Sequence, residues 1–498
     1  MFSPEHGSFA SWEDLALRPM ASRCRFALGD RHPDDRHRHL LSHNMATRLA
    51  TLAAESSYAA HVNPQWVALL DVLEMNVSYE RCFGTELFTK DGERILDFLS
   101  GYCVHNIGHN HPYIIKALKE EMDQCGPAML QSHVPELAGE LAGRLCSLAG
   151  GNLTKAYFGS SGSEGVEAAI KFARAATRRD GLLCAASGFH GLTLGALSLM
   201  TDSFWRGGFG PFLQDAAAVP FGDVAALEQQ LRTKRFAAFV VEPVQSEAGI
   251  ILPTHGYLQV AEALCRSTGT LFVLDEVQTG MFRTGPFLAA HHFGIKPDMV
   301  VLAKALSGGL VPVSATLMTD AVYNRVYSSL RRAIVHTSTF SENSLSMRAG
   351  LATLDVLEQE SLGERATELG ETIRERLRGE LRGFEMVKEV RGLGLLSGIE
   401  FHSPSKLGLS APFEAFMKIH PAMFGQIVVM RLFRDEGVLT QICGNNFLVL
   451  KVAPPLVVTA EQVEEFVAGV RRVVELMHTS PSFWTEALGL ARRAIDII

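Results

Sequence analysis

The chain has 498 residues, a formal net charge of −8, 47% hydrophobic residues and 20% charged residues. That content can bury a large core, which excludes wholesale disorder, and its length suggests about three domains or one large α/β unit with a smaller one. The mild acidity lacks the basic stripe of a nucleic-acid-binding protein, and no apolar run reaches the ~18 residues that span a bilayer.

The first forty residues look unlike the rest. Arg31 to His39 is polar, charged and without period, so residues 1–40 are expected to form an extension that is flexible or lies on a partner surface. The N-terminus has no basic patch followed by an apolar core, so it does not read as a secretory signal. The histidine-rich tract reads as solvated tail rather than metal site. Eight cysteines, Cys24, Cys82, Cys103, Cys125, Cys146, Cys184, Cys265 and Cys443, are scattered with no CxxC pair. They read as reduced, mostly buried thiols of a cytoplasmic protein.

Residues 41–100 are expected to contribute to a small domain. Glu86–Phe98 reads as a hairpin turning at Asp91-Gly92. His111-Pro112 opens an amphipathic helix to about Cys125. Residues 101–345 then alternate strands and helices. Lys155–Phe158 is a short strand, followed by a Gly/Ser turn and a helix over Glu164–Arg179. Phe236–Val241, Leu271–Leu274 and Met299–Ala303 are solid apolar runs. Such runs indicate strands covered on both faces, as in a parallel sheet between helices. Residues 346–478 read as a second, α+β domain. It has helices over Leu345–Glu360 and Thr459–Met477, the latter with a capping-box start at Thr459 and Gln462, and strands over Gly392–Phe401 and Phe447–Val452. Residues 479–498 form a tail with Trp484 and a helix-like stretch, Leu488–Ile497.

Four segments carry chemistry. Gly159-Ser160-Ser161-Gly162-Ser163-Glu164 follows a strand and opens a helix. Its free backbone N–H groups at the positive helix end suit a phosphate, with hydroxyls from Ser161 and Ser163. It is equally a plain turn with Ser163 as N-cap. Asp275 stands at the C-terminal end of an apolar strand, where ligands of open α/β sheets bind. A buried carboxylate there needs a partner, and a cationic ring nitrogen is one; a helix N-cap or turn acid is the other reading. Lys304 ends the strand Met299–Ala303 with no other charge between Asp298 and Asp320. Desolvation there lowers an amine's pKa and makes it nucleophilic enough to form a Schiff base. Phe189-His190-Gly191 offers an aromatic face to a planar ring, or simply a core aromatic. Together these four features specify pyridoxal 5'-phosphate (PLP).

The succession Val240-Val241-Glu242-Pro243-Val244-Gln245, Leu274-Asp275-Glu276-Val277-Gln278-Thr279-Gly280 and Leu302-Ala303-Lys304-Ala305-Leu306 resembles class III (ω-type) aminotransferases of PLP fold type I over roughly residues 60–475. Within that family the segments His61–Pro64, Asn106–His109, Thr279–Gly285 and His336–Phe340 look most like putrescine (diamine) aminotransferases. Ornithine and acetylornithine aminotransferases are a step further off.

The resemblance implies a large α/β domain with a mostly parallel sheet and a smaller α+β domain. It implies a homodimer with shared active sites, an amine donor and a keto-acid acceptor. Lys304 would carry the Schiff base and shuttle the proton, and Asp275 would hold the ring nitrogen protonated. Gln278 would contact the phenolic oxygen and Phe189 would stack on the ring. Ser161, Gly162 and Ser163 would bind the phosphate from one subunit and Thr339 from the other. His190 and Glu242 fall in the same cofactor-binding set. Tyr102, Glu247 and Lys451 would form the substrate wall, with Glu247 as a gate. Two departures stand out. Ser341-Glu342-Asn343-Ser344 replaces the usual Gly-Gly-Asn-Pro, and Lys451 replaces an arginine that grips an α-carboxylate. Lysine cannot make the bidentate fork, so 2-oxoglutarate is not expected to be tightly held, and pyruvate or another acceptor stays open. The cluster Cys103, His105, His109 and His111 reads as loop packing, not as a metal site. A related PLP enzyme such as an aminomutase would need the same cofactor residues, as would a decarboxylase or racemase. A non-catalytic scaffold would not need Lys304 and Asp275.

Overall fold

The computed structural model describes residues 56–130, 132–419 and 423–495. The expected extension over residues 1–40 lies outside the described residues. A seven-stranded sheet forms the centre, in spatial order Leu153–Gly159, Ser314–Thr319, Met299–Leu302, Leu271–Asp275, Phe236–Val241, Gly181–Ala185, Ala216–Val219. The last five run parallel. Ser314–Thr319 runs antiparallel to both of its neighbours.

The solid apolar runs become strands because both sheet faces are covered. Successive side chains point to opposite faces. Val240, Val273 and Val301 pack with Val166 and Phe172 of the helix Gly162–Thr177. Phe239, Phe272 and Val300 pack on the other side with Leu258 and Cys265 of the helix Tyr257–Thr268. One consequence places the site. The carboxyl ends of these parallel strands deliver Glu242, Asp275 and Lys304 to the same edge of the sheet. Ser314 lies opposite Gly159 there, so the antiparallel strand starts where the Gly/Ser turn begins.

Two four-stranded sheets lie outside this core. The expected hairpin forms between Glu86–Thr89 and Arg94–Asp97. It is extended by Tyr79–Phe83 on one side and, in parallel, by Val438–Leu439 on the other. The second sheet has the order Val387–Leu393, Leu396–Phe401, Asn446–Val452, Gln441–Cys443. The segment Gly392–Phe401, read as one strand, is instead the turn and second arm of a hairpin. Gly394 makes the bend at φ 54°, and a Cβ there would stand 2.4 Å from the Thr284 carbonyl carbon. The helix Ala460–Thr479 does start with a capping box between Thr459 and Gln462. The tail forms the helix Pro481–Ile495, which packs on the body through buried Phe483, Trp484 and Ala487. Trp484 Nε1 donates to Met477 O at 3.0 Å.

Candidate active site

A cavity of about 470 Å³ opens at the carboxyl edge of the central sheet. Ser161, Gly162, Ser163, Phe189 and His190 line one part of it, and Glu242, Glu247, Asp275, Gln278 and Lys304 another. Tyr102, Thr339 and Lys451 do not line it.

The Gly/Ser turn differs in one respect from its sequence reading. Ser161, not Ser163, is the N-cap, with its Oγ accepting from Glu164 N at 3.2 Å. The helix therefore begins at Gly162, two residues earlier than expected, and Ser163 Oγ faces the cavity, where it accepts from Leu192 N at 3.3 Å. Gly191 makes that approach possible. At φ 119° its Cβ would lie 2.2 Å from Ser163 Oγ. The first-turn N–H groups, two hydroxyls and the positive helix end make an anion cradle.

Asp275 Oδ2 binds His190 Nδ1 at 2.8 Å, and its Oδ1 accepts from Val277 N at 3.1 Å. Burial pulls the His190 imidazole down, but the hydrogen bond and charge of Asp275 outweigh it and raise its pKa. Glu242 accepts from Phe189 N at 3.0 Å and Ser246 N at 3.1 Å. Burial pushes its carboxyl up to about 7. Phe189 is held edge-on against Trp205, with centroids 5.3 Å apart. Lys304 opens a short 3-10 turn with φ 48°, a left-handed conformation unusual for a side-chain-bearing residue. Burial lowers its amine pKa, the direction a nucleophilic lysine needs.

Behind this wall Lys451, with 0% exposure, forms an ion pair with Glu247 Oε1. Glu247 also accepts from Gln278 Nε2 at 3.2 Å and Gly444 N at 2.8 Å. Burial alone would raise the Glu247 carboxyl; the charge and hydrogen bond of Lys451 outweigh it and hold it at about 2. Tyr102 lays its ring 5.1 Å from Lys451 Nζ. The turn that carries it, Ser100–Cys103, is left-handed at all four residues. Such conformations cost roughly 1–2 kcal/mol per non-glycine residue.

Thr339 is exposed and lines a separate recess with Ser341 and Glu342. Glu342 is exposed there, yet the protein packed around its carboxyl raises its pKa. His105 and His109 stack at 3.9 Å, and His109 Nε2 meets Asp97 Oδ2 at 2.7 Å. Among the described residues no three His, Cys, Asp or Glu side chains converge in a way that would hold a metal.

Two wall elements were not singled out from sequence. Val277 lines the cavity and would touch a Cβ on Gly162 at 3.0 Å. Leu310, Val311 and Val313 form an apolar side. Val277 sits inside the motif that carries Asp275, so its neighbourhood was the available signal. The loop after Lys304 carried none beyond its apolarity.

PLP fits this donor set. The cradle suits a phosphate, Asp275 a ring nitrogen, Phe189 and Val277 a flat ring, and Lys304 an aldehyde. His190 Nε2 and Gln278 Oε1 are buried without partners among the described residues, where a polar ligand would complete the wall.

Comparison with known proteins agrees. A putrescine aminotransferase of Pectobacterium atrosepticum is 37% identical over 385 residues, covering 76% of this chain and 77% of its own. The aminotransferase PigE of a Serratia species is 35% identical over 454 residues, covering 85% of this chain. The chain spans about half, 53%, of the length of that relative. An ornithine aminotransferase from Toxoplasma gondii superimposes with a TM-score of 0.73 at 28% identity, covering 90% of this chain and 99% of its own. An acetylornithine aminotransferase from Elizabethkingia anophelis gives a TM-score of 0.65 at 30% identity, covering 80% and 94%. These neighbours have PLP fold type I, and the family model described as "Aminotransferase class-III" matches residues 70–474. The chain belongs to the class III aminotransferases, a PLP-dependent family.

Proposed function

We propose that this chain transfers an amino group from a terminal amine, a diamine such as putrescine, to a keto acid in ping-pong order. The observation that carries the reading is the meeting of Lys304, the Asp275–His190 pair and the helix N-terminus at Gly162 in one cavity. When bound, PLP supplies the electron sink that lets a Cα proton leave.

The residues then have separable tasks. Ser161, Gly162 and Ser163 bind the phosphate, joined by Thr339 of a second copy. Asp275, oriented by His190, keeps a proton on the ring nitrogen. Glu242 fixes the Phe189 backbone, and Phe189 covers the ring face. Gln278 binds the phenolic oxygen. Lys304 Nζ is the covalent attachment point and carries the proton between the two carbons that exchange the amino group.

The wall opposite supports the substrate reading. Among the residues lining the cavity, Lys304 is the one Lys or Arg, and Lys451 is already neutralised by Glu247. Among the described residues of this copy, a donor or acceptor with a further carboxylate therefore meets no free cation, which favours diamines over ornithine and pyruvate over 2-oxoglutarate. The homodimer is supported by exposed Met129, Leu130 and Ile334 around the Thr339 recess. The cysteine pattern supports a cytoplasmic setting.

The test pairs putrescine, cadaverine, ornithine, acetylornithine and GABA with pyruvate and with 2-oxoglutarate. Diamines with pyruvate are expected to lead. Ornithine or acetylornithine clearly ahead of the diamines would overturn the substrate reading. Borohydride reduction of the PLP-loaded protein should leave a cofactor adduct on the Lys304 peptide, and its absence would overturn the catalytic one.

A further inference from the structure

The turn that carries Tyr102 has an unusual backbone. Ser100, Gly101, Tyr102 and Cys103 have φ of 48°, 59°, 60° and 68°, and only one of them is glycine. Left-handed residues normally occur singly, because Cβ crowds the following carbonyl oxygen. Here they form one closed turn, with Cys103 N donating to Leu99 O at 3.3 Å and Val104 N to Ser100 O at 2.8 Å. Such a turn persists only where its surroundings over-determine it.

Two buried groups do so. Asp97, 1% exposed, accepts from Leu99 N at 2.8 Å and Ser100 N at 2.7 Å through one oxygen and holds His109 through the other. Arg283 is fully buried. Its five N–H groups reach Asn106 Oδ1 twice, Leu395 O, Pro454 O and Ser100 Oγ, the full donor inventory of a guanidinium. Ser100 Oγ in turn donates a hydrogen bond to Ala453 O at 2.7 Å. Neither Asp97 nor Arg283 lines the cavity. What they fix is the ring of Tyr102 beside Lys451.

We propose that Arg283 and Asp97 are positioning residues for donor selection, locking the left-handed turn so that Tyr102 caps the Glu247–Lys451 pair. This rests on the reading of the cavity as the donor site. Donor recognition depends on the lock, and the proton transfers at Lys304 do not.

The test uses Arg283→Lys in the PLP-loaded protein. Lysine keeps the charge but cannot span four separate acceptors from a planar fork. Two readouts are taken. One is iodoacetamide labelling of Cys103, buried in the turn, with exposed Cys125 as the internal standard. The other is the steady-state kinetics of the best donor. Cys103 is expected to label at least ~10-fold faster than in the parent, with KM up about tenfold and kcat within about threefold. Adding Cys103→Gly should bring KM back, because glycine adopts this φ without a Cβ clash. Unchanged labelling and KM would overturn the proposal. So would kcat and KM failing together with no recovery in the double variant. Should Arg283→Lys not fold, Asp97→Asn is read by the same criteria. If the parent uses no amine donor, the donor-site reading has failed, while the labelling contrast still decides whether the lock exists.

Discussion

The ion pair between Lys451 and Glu247 gives the most quantitative prediction. Lys451 has no solvent exposure, and among the described residues its charge has one acidic partner. Removing one member of a buried pair costs about 3–5 kcal/mol, because the other is left charged and dry. The two directions are not equivalent. In Lys451→Met the Glu247 carboxylate keeps Gln278 Nε2 at 3.2 Å and Gly444 N at 2.8 Å, so the loss should fall near the low end, about 3 kcal/mol. In Glu247→Leu the ammonium keeps, among the described residues, the Tyr102 ring at 5.1 Å, so the loss should approach about 5 kcal/mol. The double variant Lys451→Met/Glu247→Leu leaves neither charge and should lie within about 1 kcal/mol of the parent. A chain of this length would move in Tm by only ~3 °C for a 3 kcal/mol loss, so urea unfolding is the better assay. The acid limb supplies a second check. The Glu247 carboxyl is held near 2 against an ordinary 4.5. Its stabilisation is thus present above pH ~4.5 and lost as pH falls towards ~2. In Lys451→Met burial acts on the carboxyl without that counterweight, so the acid loss should shrink or reverse. Single variants indistinguishable from the parent, or a double variant as weak as the two losses added, would refute the reasoning.

Three further outcomes follow from particular contacts. Burial pushes the Glu276 carboxyl from 4.5 up to about 7, against hydrogen bonds from Ala289 N, Ala290 N and Thr279 Oγ1. A folded pKa above the unfolded one gives stability that is full below pH ~4.5 and lost as pH rises through ~7, on the order of 3 kcal/mol. Glu276→Gln should flatten that slope in urea titrations from pH 5 to 8, and equal slopes would rule the effect out. Gly191→Ala puts a methyl 2.2 Å from Ser163 Oγ; PLP affinity, followed by fluorescence titration, should fall at least about tenfold. Trp484→Ala empties a buried site and breaks the bond to Met477 O, so unfolding should come about 3–5 kcal/mol sooner.

The carboxyl edge of the central sheet was legible in the sequence for a physical reason. A strand buried on both faces must be apolar throughout, so a charged residue at its end stands out. Phe236–Val241 before Glu242, Leu271–Leu274 before Asp275 and Met299–Ala303 before Lys304 all follow that rule. The cradle was legible for a related reason, since five small residues, Gly159 to Ser163, separate a strand-like run from a helical one. Its details were not, because the choice of Ser161 over Ser163 as N-cap rests on where Gly191 lets the chain approach. The hairpin at Gly394 was missed because Gly-Leu-Gly-Leu-Leu reads as apolar strand in either arm. Only the neighbouring Thr284 backbone makes a Cβ-free bend necessary there.

The left-handed turn marks a deeper limit. Ser-Gly-Tyr-Cys carries no local preference for four successive positive φ values, and three of its residues oppose them. Its cause lies far away in the chain, in Arg283 between flanking threonine and glycine residues and in the carbonyls of Leu395 and Pro454. Arg283 drew attention only as part of a family-like motif, because a cation without an acidic partner looks like a surface residue until its burial is known. Local rules therefore place Glu242, Asp275 and Lys304, which sit at the ends of regular elements. They fail at the turn that carries Tyr102, which is held in a strained conformation by contacts distant in sequence. A wrong substrate with a right cofactor is the error this architecture invites. The donor panel and the Cys103 labelling probe the two halves of the site separately for that reason.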